Sequence, residues 1–218
     1  MSLTIISYAP GAGGNHLKNM MINGNRIFAN HSDFNIDVYN VEHNVNGANE
    51  EQYPFGTVHS VPGRNVQKDT MNKIMSDQTQ DWIVHGHFGE LAPYRNQINS
   101  VVDKKFILIT IDNQIDQQLL DCRQTRLGHK HHSYYITEEE PLLYQPTMYE
   151  TYFNGSPESI CCVSLYDFWH PVINKILTKI ENFLNIKLDQ VSSQDLHTKW
   201  WSMNFNFDFD DFTRRTYG

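Results

Sequence analysis

Four short runs of apolar residues divide the chain of 218 residues, at 3–8, 81–88, 105–111 and 159–164. They contain the β-branched and aromatic residues that favour strands, and the run at 105–111 is apolar almost throughout, as buried strands of parallel sheets are. Each run is followed by residues whose apolar positions recur at helical spacing. Strands that alternate with helices predict a three-layer α/β/α domain around a central parallel sheet.

The same pattern places helices and loops along the rest of the chain. Helices are expected after Gly14 and at 66–75, 90–102, 113–126, 169–184 and 194–201. Residues 26–64 are poorly periodic and are interpreted as long loops with a short strand at 37–41. The alternating tail at 204–210 is expected to add an edge strand or to pair with a partner. No repeat or linker interrupts the pattern, so we expect a single domain over 1–218.

Composition narrows the class of partner. Acidic residues outnumber basic ones by 25 to 17, and the net charge of -8 argues against broad binding to nucleic acid or acidic lipid. No apolar run approaches the roughly 18 residues that a membrane span needs, and the N-terminus lacks the charged start of a secretory signal. A cytoplasmic location is therefore expected. Cys122, Cys161 and Cys162 have no metal-type spacing and are expected to stay reduced.

A glycine-rich turn follows the first strand, with glycines at 11, 13 and 14. A strand, a glycine turn and a helix present backbone N–H groups to a phosphate, although an ordinary strand–helix turn has the same pattern. The turn is not a Walker A motif, because Gly14 is followed by Asn15 and His16 instead of lysine and serine or threonine. An ordinary Mg-ATP hydrolase is therefore disfavoured.

The turn instead resembles the phosphosulfate loop of sulfotransferases, Pro-Lys-x-Gly-Ser/Thr-Ser/Thr-Trp-Leu, which Pro10, Gly13 and Leu17 match. Residues 84–88, Val-His-Gly-His-Phe, are similar to the strand-end His-Gly-His of some carbohydrate sulfotransferases, and residues 163–186 are similar to a late element of the family. The resemblance implies a P-loop nucleoside triphosphate hydrolase-like fold. It also implies sulfuryl transfer from 3′-phosphoadenosine 5′-phosphosulfate to a hydroxyl on a carbohydrate or other small molecule, with adenosine 3′,5′-bisphosphate as product.

The resemblance further implies a set of cofactor-binding residues: Pro10, Gly11, Ala12, Gly13, Gly14, Asn15 and His16, with Arg123 as a substitute cation. Three positions depart from the family. Gly11 replaces the loop lysine, Ile111 stands where the arginine for the 3′-phosphate is expected, and Leu119 lies near the usual serine. Each charge-assisted contact is worth roughly 1.5–3 kcal/mol. The cations that would have to compensate are Lys18, Arg123, Arg126 and Lys130.

His85 and His87 are the candidate catalytic residues. They are two apart, so they share a face of an extended strand, and histidine titrates near neutral pH, as the base for an acceptor hydroxyl should. In the resembling family a histidine is the base; we assign this role to His87, at the exit of the strand, and an orienting role to His85. A metal-binding pair and two structural histidines are the alternatives, although no third metal ligand has a suitable spacing.

Other features leave alternatives open. The cluster His129-Lys130-His131-His132 is interpreted as a solvated loop, and a set of tyrosines either lines an acceptor pocket or packs the core: Tyr134, Tyr135, Tyr144 and Tyr149. Two other functions remain beside the sulfotransferase. One is a nucleotide or phosphometabolite kinase with a divergent loop, for which Asp112 would be the magnesium carboxylate. The other is a non-catalytic member of the fold that binds a ligand or partner.

Overall fold

A computed structural model of the chain describes residues 2–9, 11–29, 71–77, 79–126, 140–204 and 209. Within this part of the chain the four apolar runs form the strands β1 (Leu3–Tyr8), β2 (Trp82–Gly86), β3 (Lys104–Thr110) and β4 (Ile160–Ser164). Their pairings are all parallel, in the order β2-β1-β3-β4. The prediction of an α/β fold with a parallel sheet is therefore confirmed.

Helices occupy much of the remaining described chain. They are α1 (Gly14–Gly24), α2 (Phe88–Leu91), α3 (Arg95–Ser100), α4 (Gln114–Arg126), α5 (Pro146–Tyr152), α6 (Leu165–Trp169), α7 (Asn174–Leu184) and α8 (Gln190–Asn204). Residues 71–76 are also helical. Short 3₁₀ turns lie at Ala92–Tyr94, Glu140–Tyr144 and Pro157–Ser159.

Both faces of the sheet are covered, and β1 is buried at every residue. Successive side chains of a strand point to opposite faces, so Ser7 and Tyr8 contact the helices on opposite sides of the sheet. The Tyr149 hydroxyl of α5 donates to Ser7 Oγ at 2.5 Å, whereas the backbone of Gly14 at the start of α1 lies against the Tyr8 ring. Helices α5 and α1 therefore lie on opposite faces, which explains why the central strands β1 and β3 are largely apolar.

The strand order determines where a ligand site is expected. The chain passes from β1 to β2 on one side and from β3 to β4 on the other, so the connections diverge between the neighbours β1 and β3. In open α/β sheets, ligands bind at the carboxyl ends of the strands at such a switch point. Residue 11 and the turn that follows β1 lie at this edge.

Two helix predictions are wrong in the same way. The helix expected at 90–102 is divided into α2, a 3₁₀ turn that contains Pro93, and α3. The helix expected at 169–184 begins only at Asn174, as α7, because Trp169 is the last residue of the separate helix α6 and Pro171 lies in the break between the two. Proline cannot donate the backbone hydrogen bond that a continuous helix needs, and it disfavours helical conformation in the residue before it. The apolar residues of α7, at 176, 177, 180 and 184, are buried.

Other predictions are confirmed or fall outside the described residues. Asn113 Oδ1 accepts the N–H groups of Ile115 and Asp116, as the cap of α4. Cys161 and Cys162 are unpaired. The strand at 37–41, the loop at 128–132 and most of the tail at 204–210 lie outside the described residues. So do Pro10, Tyr134, Tyr135 and the side chains of Cys122, Arg123 and Arg126. In the described residues, no helix is long and apolar enough to cross a membrane.

Candidate functional site

The glycine turn is held in a conformation that needs glycine. Gly11 and Gly13 have φ of 87° and 90°, in the left-handed region, and the Ala12 N–H donates to the Ala9 carbonyl at 2.9 Å. Helix α1 begins at Gly14 without a side-chain cap, and its first backbone bond runs from Leu17 N to Gly13 O at 3.1 Å. The first-turn N–H groups of a helix have no acceptor within it, so this end of α1 suits an anion.

Aromatic side chains pack closely around the same turn. A Cβ added at Gly14 would lie 1.9 Å from Tyr8 Cδ1, and one at Gly13 would lie 3.3 Å from both Phe168 and Trp200. The Trp169 indole N–H donates to the Ala12 carbonyl at 3.0 Å. Gly11 is half-buried, and the residues from 12 to 16 are buried. The turn is therefore packed into the core, and Gly11 is the most exposed of its described residues.

The side chain of His16 lies in the core. It has no exposed surface, stacks on Trp200 with ring centroids 4.3 Å apart, and places Nε2 3.3 Å from Nδ1 of His197. Of the residues that the resemblance assigns to the cofactor, His16 would thus contribute its backbone N–H and not its imidazole. Asn15 is also buried, with 9% of its surface exposed.

His87 is held at the exit of β2 by two hydrogen bonds. Its Nδ1 lies 2.8 Å from the Tyr8 carbonyl oxygen, and its backbone N–H donates to Glu90 Oε2 at 2.8 Å. A carbonyl oxygen only accepts, so Nδ1 carries a proton, and in the neutral ring Nε2 is the proton-accepting atom. The ring also meets the Tyr8 ring edge to face at 4.7 Å. This geometry prepares a base with a defined basic atom.

His85 contacts the same tyrosine. It lies opposite Ile6 in the sheet, and its Nδ1 is 2.7 Å from the Tyr8 hydroxyl. The structure thus brings His85 and His87 together at Tyr8, as their spacing predicts. The orienting contact on Nδ1 of His87, however, is the Tyr8 carbonyl. Tyr8 is a site residue that the sequence analysis does not identify. The sequence contains one indication of it: Tyr8 ends the first predicted strand and lies on the same face as Ile6.

A buried chain of hydroxyls fixes the peptide between the two histidines from the other face of the sheet. Tyr149 donates to Ser7 Oγ, and Ser7 Oγ donates to the Gly86 carbonyl at 3.0 Å. Burial raises the pKa of the Tyr149 phenol, so this hydroxyl stays protonated. Tyr144 and Tyr149 are both buried, with 1% and 0% exposure, and pack the core instead of lining an acceptor pocket.

Carboxylates follow β3 at the neighbouring strand end. Asp112 is exposed and accepts the Thr110 hydroxyl at 2.7 Å. Asp116 is buried and accepts the N–H groups of Asp112 and Tyr166 at 2.9 and 2.6 Å, while burial raises its pKa. Within the described residues, no group of three histidines, cysteines or acidic residues is placed to hold a metal.

The positions that would bind a 3′-phosphate are apolar. Ile111 and Leu119, which stand where the resemblance expects arginine and serine, are 7% and 0% exposed. The backbone of Arg123 lies on α4, one helical turn beyond Leu119. No protein-family model, no curated protein and no solved structure matches this chain. The fold and the contacts around Tyr8 are therefore the basis on which a function is argued.

Proposed function

We propose that the chain binds 3′-phosphoadenosine 5′-phosphosulfate at the glycine turn of a P-loop-like fold and transfers the sulfuryl group to a hydroxyl acceptor. What carries the proposal is the placement of His87. Its Nε2 is the proton-accepting atom of a ring bonded to the Tyr8 carbonyl, and Tyr8 is the last strand residue before the glycine turn. A base and an anion-binding turn thus meet at the carboxyl edge of β1 and β2.

In the proposed reaction, His87 and the glycine turn have separate roles. The acceptor oxygen attacks sulfur in line while the bond from sulfur to the bridging phosphate oxygen breaks. His87 Nε2 takes the hydroxyl proton as the new ester bond forms. Backbone N–H groups from Gly11 to Asn15, except that of Ala12, which donates to the Ala9 carbonyl, would hold the phosphosulfate oxygens, where preorganised donors stabilise developing charge. Adenosine 3′,5′-bisphosphate would leave.

Charge limits the expected affinity. Residues 11–17 contain no lysine or arginine, and the first cation of α1 is Lys18. Backbone dipoles at the N-terminus of α1 would have to supply the positive charge that a lysine at position 11 would provide. A charge-assisted hydrogen bond is worth about 1.5–3 kcal/mol, so the loss of one weakens binding by roughly 10- to 150-fold. We therefore expect weaker cofactor binding than a turn with a lysine would give.

Thermal unfolding with two ligands tests the proposal. A ligand at about 100 times its Kd stabilises a protein by roughly 2.7 kcal/mol, which a thermal shift resolves. Stabilisation by adenosine 3′,5′-bisphosphate but not by Mg-ATP supports the sulfotransferase. The reverse result supports the kinase, with Asp112 as the magnesium carboxylate, and no response to either ligand supports a non-catalytic binding module. Release of adenosine 3′,5′-bisphosphate from the donor in the presence of hydroxyl acceptors then measures turnover.

A further inference from the structure

Helix α8 lies antiparallel to α1 and brings its last turns to the glycine turn. At the far end of the pair, the Asn23 amide donates to Ser192 Oγ at 2.9 Å. At the near end, His16 of α1 meets His197 of α8, and Trp200 lies one helical turn later against Gly13. His197 and Trp200 are thus the contacts of α8 that lie nearest the glycine turn.

The histidine pair has a fixed direction of hydrogen bonding. His197 Nε2 lies 2.9 Å from the His170 carbonyl oxygen, which only accepts, so Nε2 carries the proton of the neutral ring. His197 Nδ1 is then an acceptor, and His16 Nε2 donates to it across 3.3 Å. Both imidazoles have no exposed surface. The arrangement exists only while His197 is neutral.

We propose that His16 and His197 form an acid-sensitive lock between α1 and α8. A proton added to His197 Nδ1 removes the acceptor for His16 Nε2–H and places a positive charge where neither imidazole has exposed surface. The bond between the helices breaks, and the end of α8 that carries Trp200 leaves the glycine turn. This lock is independent of the reaction proposed above, because it uses the packing of α8 and not the chemistry of His87.

The surroundings of the pair favour release when a proton binds. The titratable groups placed against His197 are His16 from α1 and His170 from the segment between α6 and α7; the other ring neighbours are Phe168 and Trp200. Within the described part of the chain, no carboxylate contributes to the electrostatic surroundings of the His197 ring. The pKa of His197 is lowered to about 4, mainly by burial; the hydrogen bond to the His170 carbonyl raises it, and the charge of the His170 side chain lowers it. His197 therefore binds a proton more readily when α8 is released than when it is locked.

Hydrogen exchange of the native chain at two pH values tests the lock. A group with pKa near 4 when locked and near 6.5 when released should lower the protection factors of α8 amides at 197–204 by about thirtyfold between pH 7.5 and pH 5.0. Amides of α7 that exchange by local opening and not by global unfolding should, after correction for intrinsic exchange, keep their protection. Equal protection of α8 at the two pH values would overturn the proposal.

Two variants isolate the group responsible. In His197→Gln the side-chain amide can still donate to the His170 carbonyl but does not titrate, so the acid-dependent loss of protection should disappear. His170→Gln keeps the same backbone carbonyl and should keep the acid dependence. Acid dependence that survives in His197→Gln contradicts the lock. If that variant does not fold, the NMR titration of His197 in the wild-type chain decides: a midpoint well below 6.5 supports the lock, and a midpoint near 6.5 overturns it.

Discussion

Nδ1 of His87 lies 2.8 Å from the carbonyl oxygen of Tyr8, and this contact joins the ends of the two strands that form the candidate site. Because the carbonyl can only accept, the contact determines which nitrogen of His87 is basic. It also holds the imidazole beside the last strand residue before the glycine turn. Tyr8 contacts His85 through its hydroxyl, so one residue organises both histidines.

His87→Asn should remove the base and keep its anchor. The asparagine amide nitrogen stands near the position of Nδ1 and can donate to the Tyr8 carbonyl, but nothing replaces Nε2. We expect turnover of the phosphosulfate donor to fall by roughly a hundredfold or more, with an unchanged unfolding midpoint. The measurement is kcat in the release assay, beside His87→Ala, which should lose both turnover and some stability. Wild-type turnover in His87→Asn would show that another group takes the proton.

Gly14→Ala should destabilise the fold through a contact with the strand. The added methyl would lie 1.9 Å from Tyr8 Cδ1, and moving a buried ring typically costs about 1–3 kcal/mol. Gly89→Ala is the matched control, because nothing lies within 4 Å of its added Cβ and alanine favours a helix. Urea unfolding should show a large loss of stability for Gly14→Ala and no loss for Gly89→Ala. Equal stability of the two variants would mean that Tyr8 is not packed against Gly14 as described.

The strands could be predicted from sequence because buried positions of a sheet demand apolar residues, and each of the four apolar runs forms a strand. The prolines at both breaks are visible in the sequence, but a proline is tolerated near the start of a helix, as Pro93 would be, and the apolar periodicity after Pro171 favours a continuous helix. A proline within an amphipathic pattern is better interpreted as a boundary, since it removes a backbone donor whatever the neighbouring face shows.

The site could be predicted only as far as local spacing reaches. His85 and His87 share a face because they are two apart. The contact of His85 with Tyr8 depends on the register between strands 77 residues apart in sequence, and that of His16 with His197 spans 181 residues. Register is determined by packing in the folded chain, so neither partner is visible in the local pattern. For the same reason His16, beside the glycines, was assigned to the cofactor although its ring belongs to the core.

Tyr149→Phe should weaken the support of the Gly86 peptide. The variant removes the donor to Ser7 Oγ inside the core, and a lost buried hydrogen bond costs about 1–2 kcal/mol. Tyr152→Phe is the matched control on the same helix, because the contacts recorded for Tyr152 involve its ring and its backbone carbonyl. Urea unfolding of both variants measures the difference. A loss in Tyr152→Phe as large as that in Tyr149→Phe would contradict a specific role of the Ser7 contact.

The global stability of the chain should fall on acidification through His197. Burial lowers the pKa of this imidazole from 6.5 to about 4, so the unfolded chain binds a proton that the folded chain excludes. The part of the free energy of unfolding that comes from His197 is complete above pH 6.5. It is lost as the pH falls toward 4, by about 3 kcal/mol in total. Asp116 acts in the opposite direction, because burial raises its pKa above 3.8 and its contribution is lost as the pH rises.

The difference between two chains therefore isolates the histidine. Urea unfolding of wild type and His197→Gln from pH 7.5 to pH 4.5 retains Asp116 in both, so its effect cancels in the comparison. The free energy of unfolding of the wild type should fall more steeply below pH 6.5 than that of the variant. The variant should show only the pH dependence that does not come from His197. Parallel curves would mean that His197 is protonated in the folded chain at the same pH as in the unfolded one, and the buried bond from His16 could not then hold α8 closed.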